Sequence, residues 1–270
     1  MSVSAVSPLL LQRYELKYLI PVSMIDEISK FVEGHCVMDY YSQIAPQNAY
    51  TINSLYFDTI THNLLRRKAA GIDGTYSLRV RSYGVDPKPP YFTEVKYKKN
   101  DFSNKMRAKI DGDDWGEMLE NGVAPDSMDS KSRAFFEQFL FLMHKDGARP
   151  VILTQYRRKA YLSEIDTYAR VTFDRDLRYQ IEDGYNVTPD EAKMTSYDLE
   201  EIYPHPDECV VLELKCEKRI PLWMKQLIQR FDLSRRGFSK YGSSLREVLA
   251  PQMHPRDFQP VFNHYGLKRD

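Results

Sequence analysis

Several stretches of the 270-residue chain carry charged side chains at every second position. In RYELK these are Arg13, Glu15 and Lys17; in SLRVRSY, Arg79 and Arg81; in FTEVKYKK, Glu94, Lys96 and Lys98. In VVLELKCEK they are Glu213, Lys215 and Glu217, and in ARVTFD Arg170 alternates with Thr172 and Asp174. Successive side chains of a β-strand point to opposite faces, so each set shares one face, with Leu78, Val80, Val95, Leu212, Leu214, Val171 and Phe173 on the other. Alternating Lys and Glu is the ordinary pattern of a solvated sheet face, and Lys98 and Glu217, near strand ends, fit it. Arg79 and Arg81 do not fit it as well. Two guanidinium groups side by side, with no acid in their own strand, repel each other unless an anion lies between them. If the strands close into a barrel with these faces inward, they line a cationic tunnel carrying a few carboxylates. Such a lumen suits a polyanion with a divalent metal, because Arg and Lys donate to phosphate oxygens and Glu is a hard oxygen ligand.

Period-two alternation predicts strands over residues 10–20, 50–58, 75–83, 91–98, 151–162, 169–179 and 209–218. Helices are fewer. Ser23 and Asp26 resemble a capping box before an apolar stripe of Ile25, Ile28, Phe31 and Val32 that stops at Gly34. A second helix lies near residues 131–144, with Phe135, Phe139 and Leu142 on one side; a third begins at Pro221 and carries Trp223, Leu227, Ile228 and Phe231. Residues 85–90, with three prolines, read as a loop, 182–208 as an acidic surface insertion, and 249–270 as a weakly patterned tail. Many strands with short connections and few helices predict an α+β fold: a closed antiparallel β-barrel of about eight strands with flanking helices. The chain is read as a single domain with its core over residues 10–248.

Composition removes several classes. Lys+Arg and Asp+Glu both number 38, so the net charge is +0 and a generic basic nucleic-acid binder is not expected. No apolar run reaches the roughly 20 residues that span a bilayer. The first residues show no signal peptide, and Cys36, Cys209 and Cys216 form no CxxC pair, which suggests a reduced, cytoplasmic setting. There is no P-loop, no HExxH or HxH among the six histidines, and no GxSxG elbow.

Taken in order, RYELKYLIP, NSLYFDT, SLRVRSYG, EVKYKKN, YRRKAY, ARVTFD, VLELK and FSKYGSSL resemble the VTC (vacuolar transporter chaperone) domain. That is the polyphosphate polymerase branch of the CYTH, or triphosphate tunnel metalloenzyme, superfamily. The resemblance runs from about Arg13 to Leu245. It implies an eight-stranded tunnel that binds triphosphate or polyphosphate through basic residues and a divalent metal, Mn²⁺ or Mg²⁺, through Glu. By resemblance, Lys17, Arg79, Arg81, Lys96, Arg158, Arg170, Lys215 and Lys240 fall on phosphate-binding positions, and Lys105, placed in a loop, on a further basic one. Glu213 falls on the metal-binding glutamate, with Glu15 and Glu94 as accompanying carboxylates. The first strand departs from the superfamily's ExExK: Arg13 stands where the first Glu would be, which removes one potential ligand. No SPX-like regulatory region or membrane helix is read beside the domain, so the expectation is the catalytic module alone.

The implied activity is transfer of the γ-phosphoryl group of ATP to a growing inorganic polyphosphate chain, with Glu213, Lys17, Arg79 and Arg81 at the centre of catalysis. The alternatives are a tripolyphosphatase or ATP hydrolase at the same site, and a noncatalytic polyphosphate-binding module. Protein partners are not indicated.

Overall fold

A computed structural model describes residues 13–99, 102–125, 128–166, 168–196, 210–217 and 219–249. The elements run β1 (Arg13–Ile20), α1 (Met24–Glu33), β2 (Cys36–Met38), α2 (Tyr40–Ile44), β3 (Tyr50–Asp58), α3 (Asn63–Ala69), β4 (Thr75–Tyr83) and β5 (Tyr91–Lys99). They continue as β6 (Phe102–Ile110), α4 (Trp115–Asn121), α5 (Ser130–Asp146), β7 (Arg149–Ser163), β8 (Ala169–Ile181), β9 (Thr195–Ser196), β10 (Val210–Glu217), α6 (Leu222–Arg230) and α7 (Lys240–Leu249).

Strand pairing follows the path β1-β10-β8-β7-β3-β4-β5-β6, with β2 on β7 and β9 on β8. The path does not return from β6 to β1, so the expected closed barrel is replaced by an open sheet. The outer edge of β1 shows why: Arg236 N–H donates to Lys17 O at 3.0 Å and Tyr18 bridges Arg235, so returning chain occupies backbone groups that closure would need.

The chain divides into two compact units. One comprises the described parts of residues 13–50, 157–176 and 210–238; the other comprises those of 51–156, 177–196 and 239–249. In the first, Leu16, Tyr18, Val171, Phe173, Leu212 and Leu214 pack against Ile28 and Val32 of α1 and Trp223, Met224 and Leu227 of α6. In the second, Leu55, Phe57, Leu78, Val80, Val95 and Ile110 pack against Trp115 and Leu119 of α4 and Phe136, Phe139 and Met143 of α5. Burying each such side chain contributes about 1.5–3 kcal/mol, so the apolar parity is strongly specified. The pleat then turns the charged parity of the same strands to the other face.

Most strands lie where alternation predicts them. The exceptions are the short β2 and β9 and the nine-residue β6, in which Met106, Ala108 and Ile110 form the apolar parity; Met and Ala are weak β signals, and cross-strand pairing with β5 decides the conformation. Lys105 is therefore on a strand, not in a loop. Ser23 makes no side-chain cap, because its own φ −58° and ψ −26° are already helical. Pro221 precedes α6 as its N-cap, with ψ 149°, instead of opening its first turn. Residues 182–196 are not a bare surface insertion: Val187 is buried in the second unit's core, and Glu182 accepts from Gly184 N, Gln180 Nε2 and Asn186 Nδ2. Residues 10–12, 197–209 (with Cys209) and 250–270 lie outside the described residues. Among those described, no helix is long and apolar enough to cross a membrane.

Candidate functional site

In the second unit, cross-strand register builds a charged row. Tyr56 pairs with Arg79, Arg79 with Glu94, and Glu94 with Arg107, while Lys96 pairs with Lys105. Glu94 is the hub, with a side chain 2% exposed. Its Oε2 accepts from Arg79 Nε at 2.8 Å and Nη2 at 2.6 Å. Its Oε1 accepts from Lys105 Nζ and Arg107 Nε, each at 2.8 Å, and from Arg107 Nη2, with Arg81 Nη1 at 3.8 Å. Burial alone would raise the Glu94 pKa, but Arg79, Arg81, Lys105 and Arg107 hold it well below the usual carboxylate range. Three guanidinium groups and the Lys105 amine converge on one carboxylate, which leaves an excess of two positive charges from the arginines alone. Lys105 responds to that excess. Burial pushes its ammonium down, Glu94 pulls it up, and Arg81, Arg79 and Arg107 push it down again, to about 6.

Arg81 is 7% exposed, yet its Nε has no hydrogen-bond partner, and neither has the buried Oγ of Ser54, its cross-strand neighbour. A buried donor left unmade is costly, so this corner of the charged face is built for something that accepts. Lys240, at the start of α7, holds Nζ 4.2 Å from the Tyr156 ring centroid, a cation–π arrangement.

In the first unit, Lys17 pairs with Glu213 and Glu213 with Thr172, while Glu15 pairs with Lys215 and Lys215 with Arg170. Glu213 is 6% exposed. Its Oε2 lies 2.9 Å from Lys215 Nζ and 3.9 Å from Arg158 Nη2, and its Oε1 lies 3.7 Å from Lys17 Nζ, which also reaches Glu15 at 3.1 Å. Burial would raise the Glu213 pKa, but Lys215, a hydrogen bond with Glu15, Lys17 and Arg158 hold it well below the carboxylate range. Arg158 makes a bidentate pair with Asp174 at 2.6 and 2.7 Å. Arg170 Nη2 reaches Asp39 at 3.2 Å and Tyr50 OH at 3.3 Å, while Arg170 Nε and Thr172 Oγ1 are buried without partners. Here charge is balanced: Lys17, Arg158, Arg170 and Lys215 face Glu15, Asp39, Asp174 and Glu213.

Of the twelve site residues read from the sequence, Arg79, Arg81, Glu94, Lys96, Lys105 and Lys240 fall in the second unit, and Glu15, Lys17, Arg158, Arg170, Lys215 and Glu213 in the first. Arg107 was missed with its strand; its parity with Lys105 and Lys109 was the available signal. Asp39 gave none, because its partner Arg170 is distant in sequence.

The implied metal can be tested on donor chemistry. Among the described residues, no three His, Cys, Asp or Glu side chains gather to hold an ion. Glu15 and Glu213 both face Lys17 Nζ, at 3.1 and 3.7 Å, and two neighbouring carboxylates fit an ion such as Mg²⁺ that takes one or two carboxylates and completes its shell with water and phosphate oxygens. Glu94 does not fit, since guanidinium and ammonium donors already take both its oxygens.

Comparisons with known proteins agree with the sequence motifs. Vacuolar transporter chaperone complex subunit 4 of Trypanosoma brucei brucei is 25% identical over 228 residues, covering 72% of this chain and 28% of that protein. Its Trypanosoma cruzi counterpart is 26% identical over 229 residues, covering 73% and 28%. The chain thus spans little more than a quarter of the length of these relatives. Among solved structures, a candidate adenylate cyclase from Vibrio parahaemolyticus superposes with a TM-score of 0.44 at 15% identity, covering 86% of this chain and 97% of that one. A Pyrococcus horikoshii protein does so at 0.44 and 12% identity, covering 88% and 99%. A family model described as the VTC domain matches residues 12–249, and the chain belongs to that family.

Proposed function

We propose that the domain is a polyphosphate polymerase that moves the γ-phosphoryl group of ATP onto the end of an inorganic polyphosphate chain. The observation that carries this reading is the cluster around Glu94, where Arg79, Arg81 and Arg107 leave two positive charges beyond the one carboxylate and Arg81 Nε lacks an acceptor. A run of phosphates supplies both the missing charge and the missing acceptors. The relatives' name, a subunit of the vacuolar transporter chaperone complex, supports a role inside a larger assembly with protein partners.

In the reaction, the bond between the γ phosphorus and the β–γ bridging oxygen breaks and ADP leaves with the electron pair. A new bond forms from the γ phosphorus to a terminal oxygen of the polyphosphate chain. Phosphoryl transfer asks the protein mainly for position and charge. In the second unit Arg79 and Arg81 clamp nonbridging oxygens and Lys96, Lys105 and Lys240 add cationic contacts; in the first, Arg158 and Arg170 offer the same clamp, with Lys17 and Lys215 beside them. Glu94 keeps its surrounding cations in register. Glu213, with Glu15, would hold Mn²⁺ or Mg²⁺, which when bound neutralises phosphoryl oxygens.

The test is incubation with ATP and Mn²⁺, with gel staining for polyphosphate and assay of released orthophosphate. Metal-dependent accumulation of long chains is expected. Orthophosphate alone would mean a hydrolase, and binding of polyphosphate without turnover would mean a binding module; either overturns the proposal.

A further inference from the structure

Within the first unit, α2 is a short helix held firmly from beneath. Asp39 Oδ1 accepts from Ser42 N at 2.8 Å, and buried Ser42 accepts from Ala160 N at 2.9 Å. Asp39 N in turn donates to Ala160 O at 2.9 Å. The next turn is held at some expense: Gln47 and Asn48 both take left-handed backbone angles, φ 55° and 54°, unfavourable for residues with a Cβ. Arg157 pins that turn, donating to Gln47 Oε1 at 2.6 Å and Pro46 O at 2.8 Å.

What this scaffold displays is aromatic. Tyr40 and Tyr41 are 66% and 64% exposed, although rings of this size are normally among the best sources of burial. The Tyr41 centroid is 5.6 Å from that of Tyr40, at 73°, and 6.0 Å from that of Tyr50, at 59°. Neither contact is a parallel stack, and Tyr41 keeps most of its ring in solvent. Tyr50 OH is the group that Arg170 Nη2 reaches, and Arg170 still has a buried Nε without a partner. An unsatisfied guanidinium donor thus lies one tyrosine away from the exposed ring of Tyr41.

We infer that the exposed ring of Tyr41 stacks on the nucleobase of a nucleoside triphosphate whose phosphates are taken by Arg170, with Tyr50 linking the two. This rests on the proposed use of ATP and adds the part of the site that reads the nucleoside. Oxygen acceptors for Arg170 and a flat ring for Tyr41 occur together in a nucleotide, and tripolyphosphate offers only the first. Stacking is tolerant of base identity, so GTP should bind about as well as ATP.

The experiment compares ATP and tripolyphosphate binding, by calorimetry on the full chain, for wild type, Tyr41→Ala and Tyr41→Trp. Tyr41→Ala should weaken ATP roughly five- to a hundredfold while leaving tripolyphosphate within about twofold, and Tyr41→Trp should keep ATP affinity. Equal loss for both ligands, or no loss for either, overturns the nucleobase seat. Wild type that binds tripolyphosphate, with ATP affinity indifferent to Tyr41, overturns the seat alone and leaves the anion site standing. Wild type that binds neither ligand overturns both readings.

Discussion

The hydroxyl of Tyr241 donates to Asp58 Oδ2 at 2.8 Å, and through that bond the end of β3 holds the helix that begins with Lys240. Asp58 is fully buried and also accepts from the backbone N–H groups of Thr59, Leu64 and Leu65 at 2.7, 2.9 and 3.0 Å, fastening α3 as well. Burial first, then the Asp58 carboxylate, pushes the Tyr241 phenol far above its ordinary range, so it stays a donor. Tyr56 stacks on Tyr241 at 5.1 Å and accepts from Arg79 Nη1 at 3.2 Å, which links this anchor to the charged row. Tyr241→Phe keeps the stack and loses one bond to a charged acceptor, so unfolding in urea should show a loss of about 1–3 kcal/mol. Asp58→Ala strands four donors and should cost about 3–5 kcal/mol. Unchanged stability of Tyr241→Phe would show that the bond does not anchor α7.

Glu94→Gln keeps the side chain's shape and removes the carboxylate on which Arg79, Arg81, Arg107 and Lys105 converge. Leaving buried charges uncompensated costs about 3–5 kcal/mol, so the variant should be strongly destabilised without ligand. Tripolyphosphate, supplying the lost charge, should restore more melting temperature to the variant than it adds to wild type. The pH dependence has a definite sign. Glu94 is depressed in the folded state, so its contribution is present above the unfolded value near 4.5 and is lost as pH falls toward the folded value. Wild type should therefore lose stability on acidification below about pH 4.5, and Glu94→Gln should lose less. Parallel acid limbs for the two proteins would contradict the assignment.

The sequence was most readable where one face of a strand is apolar. The alternation of Leu78 and Val80 with Arg79 and Arg81 predicts both β4 and its charged face, and the core packing bears this out. The alternation around Glu213 does the same for β10. Barrel closure was not readable, because the backbone of Arg235 and Arg236, far along the chain, decides whether the outer edge of β1 is free. Nor was the difference between Glu94 and Glu213. Both are mid-strand glutamates next to basic residues, but one gathers four basic side chains while the other lies beside a second carboxylate. That difference depends on strand register between segments more than a hundred residues apart in the case of Glu15 and Lys215, which no local pattern encodes.

Glu213→Gln separates metal use from phosphate binding. In the folded protein it leaves Lys215, 2.9 Å away, facing a neutral amide that can still accept a hydrogen bond. Stability should fall by about 1–3 kcal/mol without unfolding the chain. Polyphosphate binding should persist, because a repelling carboxylate is gone, whereas ATP turnover should fall by orders of magnitude at any Mn²⁺ concentration. Turnover measured against Mn²⁺ alongside polyphosphate affinity decides the matter. Normal turnover at limiting metal would remove Glu213 from the metal-binding role.

Lys105 gives the prediction most specific to this charged face. Its folded pKa is pushed down to about 6, so in the free protein its amine is largely neutral at pH 8, while in the unfolded chain it is protonated until about 10.5. The free fold therefore releases a proton between those values and gains nothing from this ammonium there. Its side chain is 40% exposed, so solvent screens part of the effect and the direction is what matters. A polyanion seated among Arg79, Arg81, Arg107 and Lys105 reverses that direction: negative charge favours the ammonium and raises its pKa. Binding of tripolyphosphate at pH 8 should then be coupled to net uptake of a proton. Calorimetry in buffers of different ionisation enthalpy reads that uptake directly, after correction for the ligand's own protonation. Lys105→Arg, whose guanidinium stays charged throughout this range, should bind tripolyphosphate and abolish the protein's share of the uptake. Tripolyphosphate affinity of wild type should weaken as pH rises from 7 to 9, and that of Lys105→Arg should change less. If wild type and variant take up the same number of protons, Lys105 is not the group that titrates when the anion binds.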